Sequence, residues 1–231
     1  MDKYTYILVN FGSVIIPFIF SFHPKLNFNK KWKSTFLSIL IVSTLFIAWD
    51  ICFSAMGIWG FNPDYLIGIN MFNLPIEEVL FFFCIPYACL YTYHILKILL
   101  PSFDFPYFKT LLILIASIIM ALGLIHIDKW YTSVTFISLS IALIYFEFVN
   151  AAPWLKRACF ASLILIIPFF IVNGILTGTG IETEVVWYNN NENMDFRILT
   201  IPVEDFAYGF LLILFNTYFF EKFEYLNNKD V

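Results

Sequence analysis

Seven runs of apolar residues, each about as long as a bilayer crossing, constrain this chain more than any other feature. A hydrocarbon core ~30 Å thick takes about 20 apolar residues as a helix. A helix is favoured there because it satisfies every backbone N–H and C=O within the segment. Windows of that length give candidate spans at 4–22, 34–56, 75–96, 107–126, 131–149, 158–176 and 201–221. Composition agrees. Of 231 residues, 61% are hydrophobic and 13% charged, against about 25% charged in soluble domains, and mean hydropathy is +0.81. A water-soluble enzyme, a disordered chain and a nucleic-acid binder with a basic face are all excluded. The net charge of −4 is too mild to imply a partner. Cys52, Cys84, Cys89 and Cys159 lie in apolar runs without C-x-x-C spacing, so they read as apolar filler.

The first span has one basic residue before it (Lys3) and four after it (Lys25, Lys30, Lys31 and Lys33). That is the reverse of a signal peptide, and no small-residue cleavage site closes the run. A retained helix with its N-terminus outside is expected. This orientation puts Lys25, Lys30, Lys31, Lys33, Lys97, Lys109, Lys156, Arg157, Lys222 and Lys229 inside. Only Lys3, Lys129 and Arg197 are left outside, as the positive-inside rule asks. The expectation is a multi-pass cell-membrane protein with a cytoplasmic C-terminus and two outward-facing connectors, 57–74 and 177–200.

Two segments repeat. Leu74-Pro75-Ile76-Glu77-Glu78 and Ile201-Pro202-Val203-Glu204-Asp205 each open an apolar span. Each follows a polar connector with Trp and Asn (Trp59 and Asn62; Trp187 and Asn189). Each is preceded by a span with one polar residue near its outer end, Asp50 in the first and Asn173 in the second. The economical reading is an all-α fold of two three-helix units, 1–97 and 131–231, joined by a linker helix within 98–130. An even number of helices separates equivalent elements, so the units are parallel, and such repeats place sites at their interface.

Acids in a first turn behind proline also serve as caps and complement the helix dipole. Capping alone is a weak account of two adjacent carboxylates entering an apolar span twice. A charge at a helix centre costs about 2.5–3.5 kcal/mol on insertion scales. Asp50, Glu77, Glu78, Glu204 and Asp205 are therefore the candidate catalytic residues, brought together in the outer half of one bundle. Crowded, desolvated carboxylates divide into a protonated general acid and an ionised base. Phe81, Phe82 and Tyr208, one turn further in, can face a cation that water does not reach. With Trp59 and Asn173 they form the candidate substrate-binding set. His23, His94 and His126 sit near span ends, and no metal site is expected.

The Pro-x-Glu-Glu and Pro-x-Glu-Asp helices, with Trp49-Asp50 upstream, resemble the membrane-bound lycopene cyclases of the heterodimeric bacterial and fungal type. So does the connector from Asn173 through Leu176-Thr177-Gly178 to Trp187-Tyr188-Asn189 and Arg197-Ile198. The resemblance covers nearly the whole chain, with both halves fused; Asn173 departs from the acid at Asp50. It implies a lycopene β-cyclase, an isomerase that needs one acid, one base, an apolar cation-tolerant pocket and no cofactor. Protonation of a terminal double bond gives a tertiary cation, the chain folds and bonds, and proton loss fixes the ring double bond. The implied partners are a lipophilic C40 carotenoid, membrane lipid and other carotenoid-pathway enzymes.

Other readings stay open on the sequence. A retinal photoreceptor lacks its Schiff-base lysine, since no Lys lies between Ile201 and Phe220. A diphosphate-using prenyltransferase would want aspartate-rich Mg²⁺ motifs with basic neighbours. A hydratase of carotenoid or isoprenoid ends shares the acid and the cation but lets water finish the reaction. A proton-coupled transporter would want charges aligned through the bilayer.

Overall fold

Proline followed by two acids starts the two helices around which the rest of the protein packs. A computed structural model describes residues 2–101 and 104–229. Its helices are α1 (Thr5–Phe20), α2 (Trp32–Ala55), α3 (Ile76–Leu99), α4 (Phe108–Ile125), α5 (Trp130–Ile144), α6 (Leu155–Leu176) and α7 (Val203–Lys229). Among the described residues, seven segments are long and apolar enough to cross a membrane. They correspond to these helices, with a 3-10 turn preceding α1 and a π turn (Tyr145–Val149) continuing α5. The protein is a multi-pass, all-α membrane protein.

α3 packs against α1, α2, α6 and α7, and α7 packs against α2, α3, α5 and α6, so these two helices form the centre. α4 lies outside them against α5. Large apolar side chains of α4 such as Ile113 and Leu114 are exposed, as expected of a helix that faces lipid.

Six short strands cap one end: β1 (Trp59–Phe61), β2 (Asn70–Met71), β3 (Leu74–Pro75), β4 (Val186–Tyr188), β5 (Arg197–Ile198) and β6 (Ile201–Pro202). β2–β3 and β5–β6 are matching hairpins that lead into α3 and α7. β1 and β4, from the two connectors, pair antiparallel around Gly60 and Trp187. Both connectors therefore lie at the same end of the bundle, as parallel repeats require.

The repeat extends to single hydrogen bonds at a constant spacing of 127 residues. Asn62 N–H donates to the Val185 carbonyl and Asn189 N–H to the Ile58 carbonyl, both at 2.8 Å. Ile76 N–H donates to Ile69 O at 2.8 Å, and Val203 N–H to Phe196 O at 3.0 Å. Phe72 and Leu199, at the tips of the matching hairpins, share a φ of +59°.

The opposite end carries ion pairs. Lys31 pairs with Glu224, Lys97 with Glu221 at 2.5 Å, Lys109 with Glu147 at 3.2 Å, and Lys156 with Asp104 at 2.8 Å.

Candidate active site

α3 and α7 begin, and α2 and α6 end, beneath the β1–β4 ribbon, and this brings the acids together. Asp50, Glu77, Glu78, Glu204 and Asp205 are all buried, none above 8% exposure. Among the described residues, no lysine or arginine forms a salt bridge with any of the five. Desolvating a carboxylate without a counter-ion costs several kcal/mol. A solvated helix cap carries no such cost, so capping does not account for this cluster.

The two members of each pair do different things. Glu77 Oε1 accepts from Ile67 N–H at 2.7 Å, and Glu204 Oε1 accepts from Met194 N–H at 2.8 Å. Ile67 and Met194 are again 127 apart. Each of these acids thus ties the preceding connector to the start of its own helix. Glu204 Oε1 also accepts from Thr132 Oγ1 at 2.6 Å, and the Glu77 carbonyl accepts from Asn10 Nδ2 at 2.7 Å.

The other member faces the aromatic centre. Asp205 Oδ1 accepts from Tyr131 Oη at 2.5 Å, while its Oδ2 accepts from Tyr188 Oη at 2.9 Å and Asn173 Nδ2 at 3.2 Å. Glu78 accepts from Tyr6 Oη, and Asp50 from Trp59 Nε1. Three donors thus serve Asp205, against one each for Glu78 and Asp50. Asp50 Oδ2 is buried and has no hydrogen-bond partner among the described residues. Tyr188 lies on β4, where burial and the Asp205 charge push its phenol well above the ordinary value, so it donates as a neutral hydroxyl.

Rings fill the space between Asp50 and Asp205. Trp59 contacts Tyr131 with centroids 5.1 Å apart and Tyr208 at 6.2 Å. Tyr208 meets Trp49 at 5.2 Å and Phe46 at 5.1 Å, edge to face in both cases. Tyr131 and Tyr188 stack at 5.8 Å. Glu78 interacts electrostatically with both Asp50 and Asp205, and Tyr208 with all three. The buried Tyr208 Oη and Trp49 Nε1 have no hydrogen-bond partner among the described residues. Such a centre offers proton carriers and ring faces in the same water-poor volume.

Of the residues singled out from sequence, Asp50, Glu78, Asp205, Trp59, Tyr208 and Asn173 meet in this centre. Phe82 is one layer removed, reaching Tyr208 through Phe46 at 6.2 Å, and Phe81 lies against Tyr6 at 6.3 Å. Glu77 and Glu204 lie at its rim, turned to the connectors. Sequence reasoning missed Tyr6 and Tyr131, and it named Tyr188 and Trp49 only as motif residues, without a place in the site. A signal for the first two existed, because each opens the first helix of its repeat. Their spacing is 125 rather than 127, so they fall out of register with the acid motif.

The protein is thus a polytopic helical bundle with a buried centre of carboxylates and aromatic rings. A family model described as lycopene cyclase matches residues 3–96 and 128–223, one repeat each. The chain belongs to the lycopene cyclase family. Comparison with curated proteins and with solved structures gives no match.

Proposed function

We propose that the protein is a lycopene β-cyclase, an isomerase that closes β-ionone rings on a linear C40 carotene without a cofactor. The observation that carries the role of each acid is the unequal number of donors. Hydrogen bonds to a carboxylate favour its charged form. With three donors, Asp205 is the group best held as the anion and serves as base and counter-ion. Asp50 and Glu78, electrostatically coupled and with one donor each, share the proton that is given to the terminal double bond. The resulting cation sits among Tyr208, Trp49 and Trp59, whose ring faces stabilise positive charge. Bond formation within the folded end moves the cation into the ring, and loss of a proton to Asp205 leaves the ring double bond. The substrate gains one proton and loses one, so nothing is oxidised or reduced, and the proton passes back from Asp205 to the Asp50–Glu78 pair before the next turnover. Glu77 and Glu204 position the connectors.

A C40 polyene is comparable in length to the hydrocarbon core, ~30 Å. A single centre therefore takes one end at a time, forming γ-carotene before β-carotene. Expression in a lycopene-accumulating bacterium, with pigments separated over time, tests this reading. Monocyclic carotene followed by bicyclic carotene is expected. Hydroxylated acyclic products would assign a hydratase, and unchanged lycopene would remove both.

The balance of basic residues supports a site at the outer face. Single cysteines replacing Asn62 or Asn190, in a background without other thiols, are expected to react with an impermeant reagent in intact cells. Labelling only after the cells are opened would reverse the orientation.

A further inference from the structure

The matching hairpins carry their most apolar side chains outward. Phe72 is 78% exposed and Leu199 73%. Ile69 and Met71 beside the first, and Phe196 and Ile198 beside the second, are exposed as well. Phe72 and Leu199 each occupy the first residue of a two-residue loop at φ +59°. Positive φ at that position is where glycine is favoured, and a bulky residue there is disfavoured sterically. Strain of this kind persists where the surroundings hold it and often marks function. Here it occurs twice, at related positions, each time to display a large apolar group.

We propose that Phe72 and Leu199 are twin anchors that insert into the lipid leaflet on the connector side, at the boundary of headgroups and acyl chains. Continuity with the lipid-facing surface supports that occupant. The first hairpin is tied to the outer end of α2 by Asn73 Nδ2 donating to Ile51 O at 2.9 Å. The second is tied to the end of α6 through Thr200, whose hydroxyl lies 2.7 Å from that of Thr177. Exposed apolar residues of the same helices, Met56 on the first side and Ile171 on the second, continue the surface into the spans. Charge does not oppose insertion at either tip, since the nearest acid, Asp195, lies before the second hairpin rather than in it. Residues 69–73 include no charge, and Arg197 is engaged by Thr200 O at 2.8 Å, Asn190 Oδ1 at 3.0 Å and the Tyr188 ring. The repeat relationship sets the two tips on opposite flanks of the bundle. Each hairpin runs directly into the first turn of α3 or α7, so anchoring the tips fixes the depth of the acids. The proposal rests on membrane embedding and not on the reaction assigned above.

A photoreactive benzoylphenylalanine replacing Phe72 or Leu199 tests it in vesicles of phosphatidylcholine and phosphatidylglycerol. Irradiation is expected to add the mass of one phospholipid at either tip and none when the probe replaces Thr183. In parallel, the unaltered chain in vesicles containing a diazirine phospholipid is expected to be labelled over 69–72 and 196–199 as heavily as at Ile113 and Leu114. Tips that stay unlabelled while α4 is labelled would overturn the proposal. So would probe-dependent adducts between two copies of the chain, which would assign the tips to a dimer contact.

Discussion

Asp205 and Glu204 are neighbours in sequence, yet their side chains serve the aromatic centre and the connector backbone respectively. Glu78 and Glu77 repeat the division. Neutral isosteres separate the two roles. Asp205→Asn and Glu78→Gln are expected to lower cyclisation by about 10²-fold or more, the range for loss of general acid–base catalysis, at unchanged abundance in the membrane. Glu77→Gln and Glu204→Gln keep a carbonyl acceptor for the Ile67 and Met194 N–H groups and are expected to retain most turnover. Glu77→Leu and Glu204→Leu leave those donors unpaired, at about 1–3 kcal/mol each, which a thermal melt in detergent reads. Equal losses across all four isosteres would show that the pairs are not divided. Tyr208 supplies a second test. Its hydroxyl has no protein partner, so Tyr208→Phe removes no hydrogen bond from the fold. The melt is expected to stay within about 0.5 kcal/mol while turnover falls, because the phenol belongs to the ring cluster of the centre and couples electrostatically to its three acids.

At the scale of elements, the β1–β4 ribbon places Trp59 and Tyr188 against the acids of the centre. Its tightest point is Gly60, where an added Cβ would come within 2.3 Å of the Trp187 ring. Gly60→Ala is expected to push Trp187 off the ribbon and loosen the Asn62–Val185 and Asn189–Ile58 bonds. Faster amide exchange at Asn62 and Asn189, with reduced cyclisation, would be the readout. Restoring both with Trp187→Ala in the same chain would confirm that the clash is the cause. The seven helices were legible from hydropathy, because a bilayer demands long uninterrupted apolar runs. Their ends were less so. α7 continues to Lys229 rather than 221, its last turns held by Glu221 and Glu224 pairing with Lys97 and Lys31. Strands of two or three residues carry no periodicity to read, so the ribbon and hairpins were invisible even though the acid motif next to them was plain. The five acids were legible because charge is rare in apolar spans. Their donors were not, because in a chain with 13 Tyr and 29 Phe a single Tyr6 or Tyr131 looks like any interfacial aromatic.

For the whole molecule, the two repeats meet through α2 on α7, α3 on α6, and α3 on α7, while the covalent link between them runs through α4 on the periphery. Contacts between the units, rather than the link, hold them together. We expect chains ending at residue 101 and beginning at residue 104 to reassemble when produced together. They should then cyclise lycopene, and each alone should leave it unchanged. Activity from one half alone would show that a single repeat contains a complete centre. The ribbon is the reason to expect otherwise. Trp59 belongs to the first unit, yet its indole binds Asp50 on one side and lies against Tyr131 of the second unit on the other. During synthesis the first unit enters the membrane with Asp50 and Glu78 in place but without Asp205, Tyr131 or Tyr208. If Asp50 and Glu78 share the proton as proposed, a first unit without the second would hold a proton source with no partner to guide the cation it would create. On the proposed mechanism, chemistry that would be corrosive to membrane polyenes if it ran unguided waits for α7, the helix that brings Asp205 and Tyr208 into the centre.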